Sequence, residues 1–297
     1  MNDTQEPKIR IAVRSLYDLQ KLRIQLGNRI VASFRDKLGI DPSQAESEVP
    51  DAEAILEGLR AEYKRITEGV TRITKKTKWQ SNLMTSASEM RLLESYEHLL
   101  SSESSHIKMI DWELEQIPVY THWLKNVRGV GPTMAGVILS EIDITKCNSI
   151  SALWAYCGLD VVITVDPGTG EITQEGRSRK KHHLKPKTYT NRDGNTIETV
   201  GITFNPMLKT KLIGVLGSVF LKLGGHYRTI YDGYKHRLEC HPSHQTKTKG
   251  HRHNMAIRYM VKQFLADLWT EWRTLEGLPV RTPYAEGKLG IVHSKAA

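Results

Sequence analysis

Val127-Arg128-Gly129-Val130-Gly131-Pro132-Thr133-Met134-Ala135-Gly136-Val137-Ile138-Leu139 decides how this chain is read. An apolar-x-Gly-apolar-Gly turn runs into a segment of small and apolar residues. Gly129 and Gly131 permit a tight turn between two helices. Pro132 suits the first turn of the second helix, where its missing N–H would be unpaired in any case. The N–H groups of such a helix end, helped by the dipole, can bind a phosphate oxygen. Ala135 and Gly136 let the two helices pack closely. The pattern predicts a helix-hairpin-helix that grips nucleic-acid backbone at Gly129, Gly131 and Thr133 without reading sequence. A plain glycine turn between packed helices would look similar.

Upstream of this turn the chain reads as helices. Leu16, Leu19, Leu22, Leu26, Ile30 and Phe34 recur at spacings of three and four, and Gly39 and Pro42 end the run. Ile9 to Val13 is the one strand-like segment before it. Ser43 to Asp51 is a polar linker. Ile55, Leu59, Tyr63, Ile66, Val70 and Ile73 form a second stripe, and Leu93, Tyr96, Leu100, Ile107, Ile110 and Leu114 a third. The SSESS stretch at 101–105 is expected to weaken the third helix. Residues 1–116 are therefore read as a helical coiled-coil region, through which the chain is expected to form a homo-oligomer; an ordinary bundle has the same stripes.

Downstream, the charge changes. Residues 1–116 hold 17 Lys and Arg against 19 Asp and Glu, a net of −2, whereas residues 117–297 hold 25 against 14, a net of +11. That excess points to a polyanionic partner, nucleic acid before others. Ile150 to Leu159 reads as a short helix ending at Gly158. Val161 to Val165, Asp166-Pro167-Gly168-Thr169-Gly170 and Glu171-Ile172-Thr173 read as a β-hairpin, and Lys187 to Val200, around Asn191-Arg192-Asp193-Gly194, as a second. Between them, Arg177-Ser178-Arg179-Lys180-Lys181-His182-His183-Leu184-Lys185-Pro186-Lys187 is the densest basic run. Arg177, Arg179, Lys180, Lys181, Lys185 and Lys187 are the predicted backbone contacts. Asn205-Pro206 opens another helix, Tyr227, Tyr231 and Tyr234 follow at helical spacing, and a last helix runs from about Asn254 to Leu275.

The three cysteines do not make a disulfide scaffold and fit a reducing compartment. The first ten residues lack the apolar core of a signal peptide, and Leu212 to Leu221 is too short to span a bilayer, so no membrane is expected. Cys240, His241, His244, His251 and His253 crowd one segment. They lack paired CxxC spacing, and Lys247, Lys249 and Arg252 oppose a cation, so no metal ligands are assigned. The fold class read from all this is mainly α, a helical coiled-coil half followed by a helix-hairpin-helix half with small β-hairpins.

LKNVRGVGPTMAGVILSEI, SISALWAYCGL, GITFNPMLKTKLIGVL and HRHNMAIRYMVKQFLADLWTEWRTLEGLP stand in an order that resembles the C-terminal transposase domain of the insertion-sequence family IS one-ten, or IS one-sixteen, over roughly residues 117–280. LQKLRIQLGNRIVASFRDKLGI is similar to the coiled-coil region that precedes that domain. The resemblance implies a DNA-binding transposase or site-specific recombinase of a mobile element, acting on the nucleoid in a prokaryotic cytoplasm. DNA is the implied partner, and because some members are RNA-guided, a structured guide RNA is another. The family uses a serine nucleophile. Ser178 is the one serine between Leu159 and Gly201, with Thr169 as a weaker substitute. The family's RNase-H-like domain, with its four acidic metal ligands, has no counterpart in these residues, so Mg²⁺ and DNA strand transfer are expected only if such a domain is supplied. The readings beside this one are a non-catalytic nucleic-acid-binding derivative and a helical scaffold.

Overall fold

Ile9, Ala12, Val13 and Leu16 are all buried, at the three-and-four spacing of one helical face. That spacing overrides the β-branched character of Ile9 to Val13, and the expected strand is instead the start of helix α1 (Gln5–Lys37). The computed structural model describes residues 5–37, 52–69, 84–165, 169–170, 172–180 and 183–281. It is mainly helical with two small antiparallel strand pairs. The chain divides into two units, a helical one of Ile11–Ile110 and a basic one of Met1–Arg10 with Asp111–Ala297.

In the helical unit, α1 is joined by α2 (Ala52–Glu68) and α3 (Ala87–Leu114). Ile30, Val31, Phe34, Ile55, Leu59, Met84, Leu93 and Tyr96 make its core. Leu22, read into the first stripe, is 53% exposed; the stripe turns outward there. The SSESS stretch does not break α3. Ser102 and Ser105 donate back to the carbonyls of His98 and Ser101, and buried Glu103 receives the Arg23 guanidinium. The helix opens with a capping box. Ser86 Oγ accepts from the Glu89 N–H at 3.3 Å, and the Glu89 carboxylate accepts from the N–H groups of Thr85 and Ser86 at 2.7 and 3.0 Å. Gly39, Pro42, the linker Ser43 to Asp51, Val70 and Ile73 lie outside the described residues.

The basic unit is built on α10 (Lys249–Leu275), which buries Met260, Val261, Phe264, Leu265, Leu268, Trp269 and Trp272. Each such side chain contributes roughly 1.5–3 kcal/mol by leaving water. Helix α10 begins ahead of Asn254, because Thr248 caps it by accepting from the His251 N–H at 3.2 Å. Helices α4 (Pro118–His122), α5 (Pro132–Glu141) and α6 (Ile150–Tyr156) precede two hairpins. β1 (Val161–Val165) pairs with β2 (Ile172–Gly176), and β3 (Lys185–Thr190) with β4 (Thr196–Gly201). Between β3 and β4, Asn191 Oδ1 accepts from the N–H groups of Asp193 and Asn195 at 3.0 and 2.9 Å, and Gly194 takes a φ of +83°.

After the hairpins, α7 (Pro206–Thr210) passes through a π-turn (Lys211–Leu216) into α8 (Gly217–Leu223), and α9 (His226–Cys240) follows. Phe220 and Tyr227 meet the Phe264 ring edge-on, with centroids 5.5 and 5.6 Å apart. Tyr231 is buried, and Tyr234 stacks on Tyr259 at 4.0 Å, so the tyrosine row of α9 packs within the fold. Cys147 and Cys157 are buried free thiols. Among the described residues no helix is long and apolar enough to cross a membrane.

Candidate nucleic-acid interface

Leu124–Asn126 forms a single 3₁₀ turn after α4, and the chain then reverses through Val127–Gly131. The two glycines of this turn do different things. Gly129 has a φ of +101°, and a Cβ there would stand 3.1 Å from both Phe220 and Val219. It is required by backbone conformation and by packing against α8. Gly131 is exposed, has an ordinary φ of −86°, and a Cβ on it would meet nothing within 4 Å. It is the N-cap of α5, with no side chain capping the helix. From Met134 to Glu141 every residue of α5 is buried. Only its N-terminal end reaches the surface, at Gly131 and half-buried Pro132 and Thr133, with Arg128 exposed beside it.

The basic run after β2 divides into engaged and free cations. Arg177 donates from Nε and Nη2 to both carboxylate oxygens of Asp160 at 2.7 and 2.6 Å, and from Nη1 to Thr203 Oγ1 at 2.6 Å. Those bonds to Asp160 raise the Arg177 pKa above its ordinary value. Arg177 thus ties the foot of the hairpin together. Lys180 pairs with Glu175 at 2.6 Å. Arg179, Lys185 and Lys187 are exposed and form no ion pair among the described residues. Lys181 lies outside the described residues. In the β3–β4 register, Lys185 and Lys187 stand opposite Gly201 and Thr199. With Tyr189, opposite Ile197, they share one face of the ribbon.

Ser178 is held by a histidine. Its backbone N–H and its Oγ both lie 2.9 Å from His183 Nδ1, and Oγ accepts from the Lys180 N–H at 3.3 Å. Since the backbone group can only donate, Nδ1 is an acceptor, which also places the Ser178 hydroxyl proton toward it. His183 is buried, and its carbonyl accepts from Thr203 Oγ1 at 3.4 Å, so Thr203 links the histidine to Arg177. A serine hydroxyl against an acceptor imidazole is the arrangement from which a base can take the proton during attack. Thr169 is exposed in the loop between β1 and β2.

Three further cations reach the hairpin foot, and the basic run did not reveal them. Lys209 comes from α7, and Arg258 and Lys262 from α10. Their one sequence signal is the four-residue spacing of Arg258 and Lys262 along α10.

The cysteine–histidine segment does not converge. Cys240 Sγ is 3.6 Å from His236 Nε2, and the His241 and His244 rings are 5.5 Å apart. His251 and His253 belong to α10, and His253 Nδ1 is 2.5 Å from the Tyr231 hydroxyl. Burial, Lys247, His241 and Arg237 lower the His244 pKa, so its surroundings disfavour positive charge. Among the described residues no three His, Cys, Asp or Glu side chains are grouped to hold a metal ion.

No protein-family model matches the chain, and neither does any curated protein or solved structure.

Proposed function

We propose that this chain binds nucleic acid by its phosphate backbone, as a transposase-type protein of a mobile element with DNA as its main partner. The observation that carries this is the uncapped N-terminal end of α5, the one part of a buried helix left at the surface, in the half of the chain with a net charge of +11. Uncapped N–H groups and the helix dipole favour a phosphate oxygen. Exposed Arg179, Lys185 and Lys187 supply the counter-charges along a strand.

The test is fluorescence anisotropy of labelled duplex DNA with the full chain over a salt series. Affinity is expected to fall by about 10³-fold between 50 and 200 mM salt if six or more phosphates are neutralised. Gly131→Val is expected to weaken binding with helical content unchanged, because the position has room and an unstrained φ. A flat salt response, or full binding by the folded Gly131→Val variant, overturns the reading.

A strand-transfer reading is favoured by one observation, the 2.9 Å approach of Ser178 Oγ to His183 Nδ1. In it, Ser178 Oγ attacks phosphorus and His183 Nδ1 takes the hydroxyl proton. A serine–phosphate ester forms, one phosphorus–oxygen bond of the strand breaks, and the leaving oxygen is protonated by water. A denaturing gel of labelled DNA carrying the element's ends decides it. The chain by itself is expected to bind without forming an adduct. With an RNase-H-like domain added, an adduct lost in Ser178→Ala supports the nucleophile, and an adduct that persists eliminates it.

A further inference from the structure

We propose that Lys209, Arg258 and Lys262 form a seat for a phosphate group of a bound strand at the foot of the β1–β2 hairpin, which rests on the nucleic-acid reading above and extends it to a specific cluster of cations. All three side chains are half-buried, sunk into the surface yet reachable from solvent. Arg258 and Lys262 lie one helical turn apart on α10, on one face. The Arg258 guanidinium rests against Gly176, where a Cβ would stand 1.7 Å from Nη1, so that position admits no side chain while Arg258 stays there. The Lys262 ammonium lies 3.9 Å from the centre of the Trp154 ring. The Lys209 ammonium donates to the Arg177 carbonyl at 2.5 Å and lies 5.0 Å from the Phe204 ring centre.

The carboxylate common to this group is Asp160, and both of its oxygens are already taken by Arg177. Among the described residues, no carboxylate forms an ion pair with Lys209, Arg258 or Lys262. Burial, reinforced by Arg258, lowers the pKa of Lys209 and Lys262, while Asp160 only opposes the shift. Burial lowers that of Arg258 as well, but a guanidinium does not give up its proton at neutral pH. A phosphate group supplies what is missing. It brings negative charge for three cations and paired acceptor oxygens for the fork of Arg258. Because Lys209 also holds the Arg177 carbonyl, a phosphate seated here is anchored one residue from Ser178.

The test compares Arg258→Gln/Lys262→Gln with a charge-matched control, Lys222→Gln/Lys249→Gln, both exposed positions. With labelled duplex, the first double variant is expected to lose at least about ten-fold in affinity and to reduce the salt slope by about two, and the control by clearly less. Pyrophosphate is expected to raise the melting temperature of the unaltered protein and not of the first double variant. Equal losses in the two variants, or none in the first while the unaltered protein binds DNA, overturn the seat and leave the nucleic-acid reading standing. Stabilisation by pyrophosphate through these residues without DNA binding overturns the nucleic-acid reading and keeps the phosphate seat. No response to either probe overturns both. Should Arg258→Gln/Lys262→Gln not fold, acetylation of the unaltered protein decides: duplex is expected to protect Lys209 and Lys262 relative to Lys222, and equal modification overturns the seat.

Discussion

Two half-buried arginines of the helical unit and the half-buried cations at the hairpin foot of the basic unit are neutralised in opposite ways. In the helical unit, half-buried Arg23 has Glu103 and half-buried Arg60 has Glu97, and the more exposed Lys37 has Glu89. At the hairpin foot of the basic unit, Arg177, Lys209, Arg258 and Lys262 gather about Asp160 as their one shared carboxylate among the described residues. Charges that only hold a fold together are matched within it, because an unmatched buried charge costs several kcal/mol. Charges left in excess are matched by something else. The difference is what sets the proposed phosphate-seat cations apart from the paired arginines of the helical unit.

The largest expected effect is in the helical unit. Glu103→Gln removes the partner of Arg23 from a nearly buried position and is expected to cost about 3 kcal/mol by chemical denaturation, with DNA binding unchanged. A neutral outcome would erase the contrast between the units. Asp160→Asn is expected to cost somewhat less, about 2 kcal/mol, since the group is partly open to solvent. Here pyrophosphate should restore much of the lost melting temperature; if it restores none, the excess charge at this foot is not awaiting a phosphate.

Glu89→Gln is expected to cost about 1 kcal/mol at pH 7 through the capping box and the Lys37 pair. Burial opposes the Glu89 charge, but Lys37 and the N–H groups of Thr85 and Ser86 outweigh it and hold its pKa at about 2. A depressed carboxylate pKa stabilises above the unfolded value and loses that contribution as pH falls through the folded one. The gap between variant and unaltered protein should therefore be full above about pH 4.3 and close toward pH 2. A gap of the same size at pH 2 would mean that the ionised carboxylate is not its source. Smallest of all, Lys262→Met should leave stability within about 0.5 kcal/mol without ligand. Because the Lys262 pKa is lowered on folding, the unaltered protein should gain on this variant as pH rises toward about 10.4. A loss of more than about 2 kcal/mol in Lys262→Met would make Lys262 a structural cation.

Much of this fold was legible in spacing and turn chemistry. The α10 stripe and the Asn191-Arg192-Asp193-Gly194 turn stand where their residues predict. Ile9 to Val13 misled because β-branched composition outweighed a three-and-four spacing that Ala12 completes. The serines of α3 misled because composition does not show that a hydroxyl can bond back along its own helix. At the candidate site, the basic run was visible, but its division into engaged Arg177 and exposed Arg179 depends on Asp160, seventeen positions before Arg177. The pairing of Ser178 with His183 needed the loop's path. Arg258 and Lys262 were hidden because they flank an apolar stripe, where a cation reads as ordinary surface.

The π-turn at Lys211–Leu216 sets a rotational phase. Leu208, Leu212, Leu216 and Phe220 are all buried at steps of four residues. On a regular α-helix, steps of four drift by about 40° each, so these side chains would wind off one side. The wider π-turn absorbs that drift and keeps the row facing inward. Removing one residue from this turn would rotate Lys209 by about 100° relative to Phe220. Phe220 is fixed against Gly129, so the ammonium would swing away from the hairpin foot. The spare residue acts as a spacer, timing one surface cation to the glycine turn packed against α8.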